Sequence, residues 1–342
     1  MFSRAVFPNL AIHYTLGWLK EFTGLEFNIL GKAEETDRTP EQVESLRRGL
    51  TSDEHLADRN KILPYVRGPA VLELGSGSGG FLRLLRKARP DLELLVGVEY
   101  SPTFFGFAAE ELFTDSEEAT KPVVCLARTD ITKMEITSSF YESVILASIV
   151  HEIESFYGPE EVFQLFERIY EGLKQGGRII IYDGFQREGQ AYVELLSPRA
   201  KQVFQTYIQQ TPRKIQFERD NEGVTLPISD AIDFAAKLQF DDPSTEYAEE
   251  YYPFTLEEYS SMLQRVGFEV RTVATFPEEI DISRVREHIT VRDSIGNDAL
   301  ASDNNVLIVA EKSEATPGNH RETIAKAYLK TAYNLSGHFQ PV

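Results

Sequence analysis

The sequence predicts an α/β fold with a doubly wound, mostly parallel sheet. Three observations carry this. Residues 71–183 alternate strand-like and helix-like segments five times, the rhythm of a parallel sheet with helices on both faces. The buried-strand pattern Val71-Leu72-Glu73-Leu74 runs into Gly75-Ser76-Gly77-Ser78-Gly79-Gly80 and resumes as the amphipathic Phe81-Leu82-Arg83-Leu84-Leu85-Arg86. The next apolar run, Leu94-Leu95-Val96-Gly97-Val98, ends in an acid, Glu99, nineteen residues after Gly80.

Composition bounds the function. The 342 residues can form one large domain or two small ones. A hydrophobic share of 42% and a charged share of 26% are ordinary for a globular protein. A net charge of −19 argues against gripping nucleic acid through the overall field, which needs clustered Lys and Arg. One short basic group, Arg83, Arg86, Lys87 and Arg89, reads as the solvated face of the helix after the glycine loop. Cys125 is the only cysteine, so an intrachain disulfide is excluded and a Cys-based metal site is unsupported. The N-terminus lacks a signal-peptide pattern, and no apolar run approaches the ~20 residues that span a bilayer. The expectation is a cytoplasmic enzyme with a small-molecule substrate, engaging neither nucleic acid nor membrane.

Five segments are expected. Residues 1–60 form an N-terminal helical segment: Leu10, Tyr14, Trp18 and Phe22 recur at helical spacing, Thr39-Pro40-Glu41-Gln42 is a helix start, and Asp53 to Tyr65 reads as a helix leading into the first strand. Residues 61–183 form the nucleoside-binding core. Residues 184–253 break the rhythm and read as a helical insertion, with helices at about 190–210 and 228–238 and an acidic, aromatic run at 241–252. Residues 254–312 complete the core, opening with the capping-box pattern Thr255-Leu256-Glu257-Glu258, with a polar stretch at 279–304. Residues 313–342 form a tail with a helical stretch at 323–334. The aromatic N-terminus and this tail are candidate homodimer surfaces.

The glycine loop admits two nucleoside cofactors. Gly75-x-Gly77-x-x-Gly80 followed by Glu99 fits a dinucleotide fingerprint, with the acid accepting from ribose hydroxyls. Glu73-x-Gly75-x-Gly77-x-Gly79 resembles the first motif of the class I, Rossmann-like, S-adenosyl-L-methionine (SAM)-dependent methyltransferases, which also keep an acid where Glu99 stands. The downstream order favours the second resemblance. Asp130 follows a short apolar stretch, and the strand Ser143–Val150 is followed at once by His151-Glu152. Phe163–Leu173 has helical spacing and runs through Lys174-Gln175-Gly176-Gly177 into Arg178–Asp183, similar to the family's helix, Leu-Lys-Pro-Gly-Gly, strand passage, with Gln175 in place of Pro. Val266–Val270 and Asn305–Ala310 resemble its last two strands, the final one antiparallel. The resemblance covers residues 60–183 well and 254–312 loosely.

What this resemblance implies is a SAM site, with S-adenosyl-L-homocysteine as product. Glu73, Gly75, Ser76 and Gly77 would surround the donor's amino-acid end, with Gly79 letting the helix start close by. Glu99 and Tyr100 would lie at the ribose, Asp130 and the backbone of Ile131 at the adenine, and Ser148, with Ile149, at the methyl group. Family insertions often form a substrate lid, so 184–253 is expected to act as one.

The residues then suggest the chemistry. His151, at the end of a strand and with a reference pKa near neutrality, is the candidate general base, with Glu152 beside it. Substrate contacts are sought among Tyr14, Trp18, Phe156, Tyr157, Tyr247, Tyr251 and Tyr252, whose rings combine area with a polar tip. Arg213 and Lys214 are either acceptor contacts or a solvated turn. No metal is expected: the second His of a zinc-protease motif is absent, since position 155 is Ser, and a set of His151, Glu152 and Asp183 is thin. The expected function is methyl transfer to an O, N or C atom of a small molecule. A non-catalytic binding protein of the same fold and a nicotinamide-dependent oxidoreductase are the alternatives.

Overall fold

A computed structural model describes residues 25–26, 53–113, 122–277 and 282–313. Tyr14, Trp18, the expected helix at Thr39 and the tail helix at 323–334 lie outside the described residues, as do the candidate dimer surfaces.

Seven strands form the central sheet. They are β2 (Ala70–Leu74), β3 (Leu94–Glu99), β4 (Val123–Arg128), β6 (Tyr141–Ala147), β7 (Leu173–Gly184), β11 (Phe268–Pro277) and β13 (Asp303–Lys312). Their order is β11-β13-β7-β6-β2-β3-β4. The five strands from β4 to β7 are parallel, whereas β13 runs antiparallel to both β7 and β11. The fold class and its antiparallel last strand are as the sequence predicted. The short strands β1 (Leu25–Glu26) and β5 (Glu135–Ile136) pair with each other apart from this sheet.

Neighbouring strand residues face opposite sides, and each side has its own core. Leu72, Val96, Val144 and Ile181 pack on one face with Phe166, Ile169 and Leu263. Val71, Leu95, Ile145 and Ile180 pack on the other with Ile62, Phe81 and Leu85. The covering helices are α1 (Asp53–Arg59), α2 (Gly80–Ala88), α3 (Pro102–Phe113), α4 (Val150–Tyr157), α5 (Pro159–Gly172) and α8 (Leu256–Val266). The helix read at Asp53–Tyr65 is α1 followed by a short 3-10 turn, Leu63–Tyr65. The capping box opens α8: the Thr255 side chain accepts from the Glu258 N–H, and Glu258 accepts from the Thr255 N–H at 2.8 Å. The three arginines of the basic group on and just after α2 are tied down locally. Arg83 pairs with Glu111 at 2.6 Å, Arg86 donates to the Leu112 carbonyl, and Arg89 chelates Asp91.

The insertion holds its expected helices, α6 (Pro198–Gln210) and α7 (Ile228–Leu238), but it is not helical throughout. Residues 190–195, read from sequence as the start of a helix, form strand β8 (Gln190–Leu195). With β9 (Glu218–Arg219), β10 (Gly223–Pro227) and β12 (Ile289–Asp293) it makes a second, antiparallel sheet of order β12-β8-β10-β9. β8 buries Ala191, Val193 and Leu195 and leaves Gln190 exposed with Tyr192 and Glu194 half-buried. That alternation is a strand period, and helical packing gives way to it. The polar stretch at 279–304 supplies β12 as well as the short helix α9 (Ile282–Arg286). The second sheet has its own core, including Val193, Phe204, Tyr207, Phe234 and Tyr252. Every residue of α7 is buried, which suits a helix enclosed on all sides.

Candidate functional site

The glycine loop joins β2 to α2 at the carboxyl edge of the parallel strands, where ligands gather in open α/β sheets. Gly75, Gly77 and Gly79 all have positive φ, at 75°, 51° and 81°. A Cβ at Gly75 would stand 2.8 Å from the Ile149 side chain, so the tip of β6 closes directly on bare backbone. The loop is pinned to β3: the Gly75 and Ser76 N–H groups donate to the Val98 carbonyl at 2.9 and 2.8 Å.

Glu99 organises the loop from the end of β3. One carboxylate oxygen accepts from the Gly77 N–H and the other from the Ser101 N–H, both at 2.8 Å. Burial raises its pKa, and these backbone donors oppose the rise. Glu73 is more constrained. It is 3% exposed, and its Oε2 has no hydrogen-bond partner among the described residues, nor has the buried Ser76 Oγ. Burial lifts the Glu73 pKa to about 8; Arg59 lowers it and Glu99 raises it further. A buried carboxyl with an idle oxygen is a ready partner for an ammonium, so the donor set fits the amino-acid end of SAM.

Asp130 lies in the turn after β4. Its Oδ1 accepts from the Thr132 N–H and hydroxyl at 3.0 and 2.7 Å, and its Oδ2 from Lys133 Nζ at 2.7 Å. Burial would raise its pKa, but Lys133 and Thr132 hold it below the usual carboxylate range. Ile131 buries its side chain in the core, leaving only backbone to offer a ligand. Tyr100 is exposed at the end of β3.

Ser148 ends β6 with φ of 55°, a left-handed conformation unusual for a residue with a side chain. Its N–H donates to the Tyr182 carbonyl at 2.7 Å, and its hydroxyl accepts from Arg59 Nη2 at 3.0 Å. Arg59, from the last turn of α1, is 4% exposed and lies 5.2 Å above the Tyr182 ring. It is a candidate-site residue that sequence reasoning missed, as is Glu249. The only signal for Arg59 was a cation at a helix end just before the first strand.

His151 lies in the first turn of α4 immediately beyond. Its Nδ1 is 2.7 Å from Asp183 Oδ1. Asp183 stands near the end of β7, and its other oxygen accepts from the N–H groups of Ile149 and Val150 at 3.1 and 2.8 Å. The carboxylate thus caps α4 and fixes the imidazole together. Burial alone would lower the His151 pKa, but Asp183, aided by Glu152 and Glu249, raises it to about 9. The reference value near neutrality, which the sequence suggested for this ring, is therefore displaced upward chiefly by Asp183, which lies far away along the chain.

The insertion reaches this pair through residues 246–252. Glu249, Glu152 and His151 each offer a ligand atom, all within 4.8 Å of one another. The Tyr251 ring meets the imidazole edge-on at 5.4 Å between centroids. The Ser155 hydroxyl accepts from the Glu250 N–H at 2.8 Å and donates to the His151 carbonyl at 2.7 Å, lacing the insertion to α4. Lys237, fully buried on α7, donates to the Glu249 carbonyl at 2.9 Å and lies 3.1 Å from the Tyr251 ring centroid. Arg213 pairs with Asp230 and Glu250 rather than occupying a solvated turn.

Of the expected substrate contacts among the described residues, Tyr251 is the one whose ring packs against His151. Tyr247 and Tyr252 are buried in the insertion's own core, whereas Phe156 and Tyr157 are exposed at the end of α4. Burial claimed the first two because the insertion needs large apolar side chains to fill its separate core.

Residues 72–181, the strands and helices from β2 to β7, match the family model described as a methyltransferase domain. No curated protein matches the chain in sequence. Among solved structures, phosphoethanolamine N-methyltransferase 2 from Haemonchus contortus, in complex with SAM, is 17% identical with a TM-score of 0.51, covering 84% of this chain and 61% of its own. A SAM-dependent methyltransferase from Mesorhizobium loti is 18% identical with a TM-score of 0.45, covering 76% of this chain and 98% of its own. One from Methanosarcina mazei is 13% identical with a TM-score of 0.45, covering 74% and 97%. Among the described residues no helix is long and apolar enough to cross a membrane. The sheet order, the family match across β2 to β7 and the likeness to the Haemonchus enzyme together assign the chain a class I, Rossmann-like methyltransferase fold.

Proposed function

We propose that the protein is a SAM-dependent methyltransferase acting on a small-molecule acceptor, with His151 as the general base. The observation that carries this reading is the His151–Asp183 pair, 2.7 Å apart, beside the tip of β6 that closes on the glycine loop. When bound, SAM supplies an electrophilic methyl group on a sulfonium and leaves as S-adenosyl-L-homocysteine.

The chain's own residues have separable tasks. Glu73 and the loop backbone receive the amino-acid end, with Arg59 as the partner of its carboxylate. Glu99 and Tyr100 meet the ribose, and Asp130 with the Ile131 backbone meets the adenine. Ser148 and Ile149 face the methyl end. Asp183 holds the imidazole by Nδ1, leaving Nε2 to take a proton from the acceptor. The segment 246–252 covers His151 and keeps water away.

The test is label transfer from methyl-labelled SAM to a small-metabolite mixture, compared between the parent chain and His151→Gln. Loss of roughly 10²–10⁴-fold in rate with unchanged S-adenosylhomocysteine affinity is expected. Equal rates in the two proteins would remove His151 from the chemistry. A second reading, donor binding without transfer, draws on the elevated His151 pKa, which keeps the ring protonated at neutral pH. It requires that no acceptor is turned over at any pH by protein that binds S-adenosylhomocysteine.

A further inference from the structure

We infer that binding of the donor expels a proton from Glu73, so that occupancy of the donor site responds to pH. This rests on the SAM reading of the glycine loop and ties that site to a proton. Glu73 lies one residue inside the carboxyl end of β2, in register with Gly97 of β3 and Ile145 of β6. Strand alternation turns it to the face of Val71 and Ile145, which Leu95, Ile180 and Phe81 fill with apolar side chains. There it is 3% exposed, and its Oε2 has no hydrogen-bond partner among the described residues. Its strand partner Gly97 offers no side chain. A Cβ at Gly97 would stand 3.0 Å from Ser76 Oγ, the second buried polar atom of this recess that has no partner among the described residues. Arg59 acts on Glu73 through its charge and donates Nη2 to the Ser148 hydroxyl at 3.0 Å.

A carboxyl in this setting keeps its proton in the free protein at neutral pH. It is out of water, its outer oxygen meets no donor, and ionising it would add a second negative charge beside Glu99. Its pKa of about 8 agrees with that placement. An ammonium set against Oε2 reverses the balance, because it supplies both the missing hydrogen-bond donors and a positive charge. Arg59 meets the donor's carboxylate in this reading, which offsets the negative charge that arrives with the ammonium. The step is an acid dissociation. The Glu73 O–H bond breaks, its electron pair stays on the oxygen, and the proton passes to the buffer while the ammonium keeps its own. Ser76 Oγ is a further acceptor for the ammonium in the same recess. The free protein must give up this proton before it holds the donor, so donor affinity falls as pH drops below the Glu73 titration.

The experiment is calorimetric titration of the full chain with S-adenosylhomocysteine at about pH 6.5, where the ligand's amine is an ammonium. It is run in phosphate and in Bis-Tris, whose different ionisation heats count the protons exchanged. S-adenosylhomocysteine carries no sulfonium, so it brings no new positive charge to His151. Release of at least about half a proton per ligand is expected, fading as pH rises through about 8. 5′-Methylthioadenosine keeps the adenosine and the thioether but has no ammonium, so it should release none; any proton lost from Glu99 at the ribose is common to both ligands. Glu73→Gln should abolish the release. Affinity of the parent for S-adenosylhomocysteine should fall by up to about tenfold per pH unit below 7, and that of the variant should stay flat. Should the variant not fold, the two ligands on the parent protein decide. Equal proton counts for the two ligands, no release at pH 6.5, or release retained in folded Glu73→Gln would overturn the inference. Folded parent protein that binds no S-adenosylhomocysteine would instead remove the SAM reading itself.

Discussion

Asp183 Oδ1 lies 2.7 Å from His151 Nδ1 while Asp183 Oδ2 accepts from the N–H groups of Ile149 and Val150 at the start of the helix that carries His151. One buried carboxylate therefore sets the position, the tautomer and the charge of the candidate base.

Asp183→Asn should lower the His151 pKa from about 9 towards its reference near 6.5, since burial is then opposed only by the smaller effects of Glu152 and Glu249. A group raised in the fold contributes stability in full below its unfolded pKa. That contribution is lost as pH rises from about 6.5 through 9. The parent protein should lose stability across that window, and the Asp183→Asn variant should not. Methyl transfer in the parent should climb with pH up to about 9, because only the neutral ring accepts a proton. NMR titration of the imidazole and a pH–rate profile check both.

Glu73→Gln should separate stability from function. The carboxyl's pKa is lifted from 4.5 to about 8 by burial, so the stability linked to its neutral form is full below about 4.5 and lost as pH rises through 8. The amide carries no such penalty. At pH 8 and above the variant should melt at a higher temperature than the parent, yet bind S-adenosylhomocysteine at least roughly tenfold more weakly. Calorimetry and thermal melts measure the two effects.

The strands β2, β3, β6 and β7 and the glycine loop were legible because continuous apolar runs and glycine spacing are local signals. The residues around His151 were only half legible. His151 and Glu152 stand in one motif, but Glu249 and Tyr251 reach them through an insertion whose packing the sequence does not display. Residues 190–195 carried a period-two pattern, Ala191, Val193 and Leu195 inward, that the neighbouring helix of 198–210 obscured. Arg59 carried no motif at all, because its role comes from where α1 ends in space beside Ser148.

Gly184→Ala should dislodge the strap over His151. A Cβ there would stand 2.0 Å from the Tyr251 carbonyl oxygen, which is backbone and cannot rotate away. Overpacking of this kind costs about 1–3 kcal/mol. Hydrogen exchange should quicken across 249–252, and transfer should fall while S-adenosylhomocysteine binding persists.

Lys237→Met should destabilise the insertion strongly. Lys237 and Asp233 are both fully buried, with Nζ 3.4 Å from Asp233 Oδ1. Removing one partner strands the other's charge and costs about 3–5 kcal/mol. Urea denaturation should show the loss, and the double variant Lys237→Met, Asp233→Leu should recover part of it.

The most direct measurement is calorimetric titration of the full chain with S-adenosylhomocysteine, repeated on Glu99→Gln with its fold verified by circular dichroism. One site of micromolar affinity is expected, weakened at least roughly tenfold in the variant, because Glu99 shapes the loop at Gly77 and is proposed to meet the ribose. Folded parent protein that binds no S-adenosylhomocysteine, or that binds NAD in its place, would contradict the assignment of a SAM site.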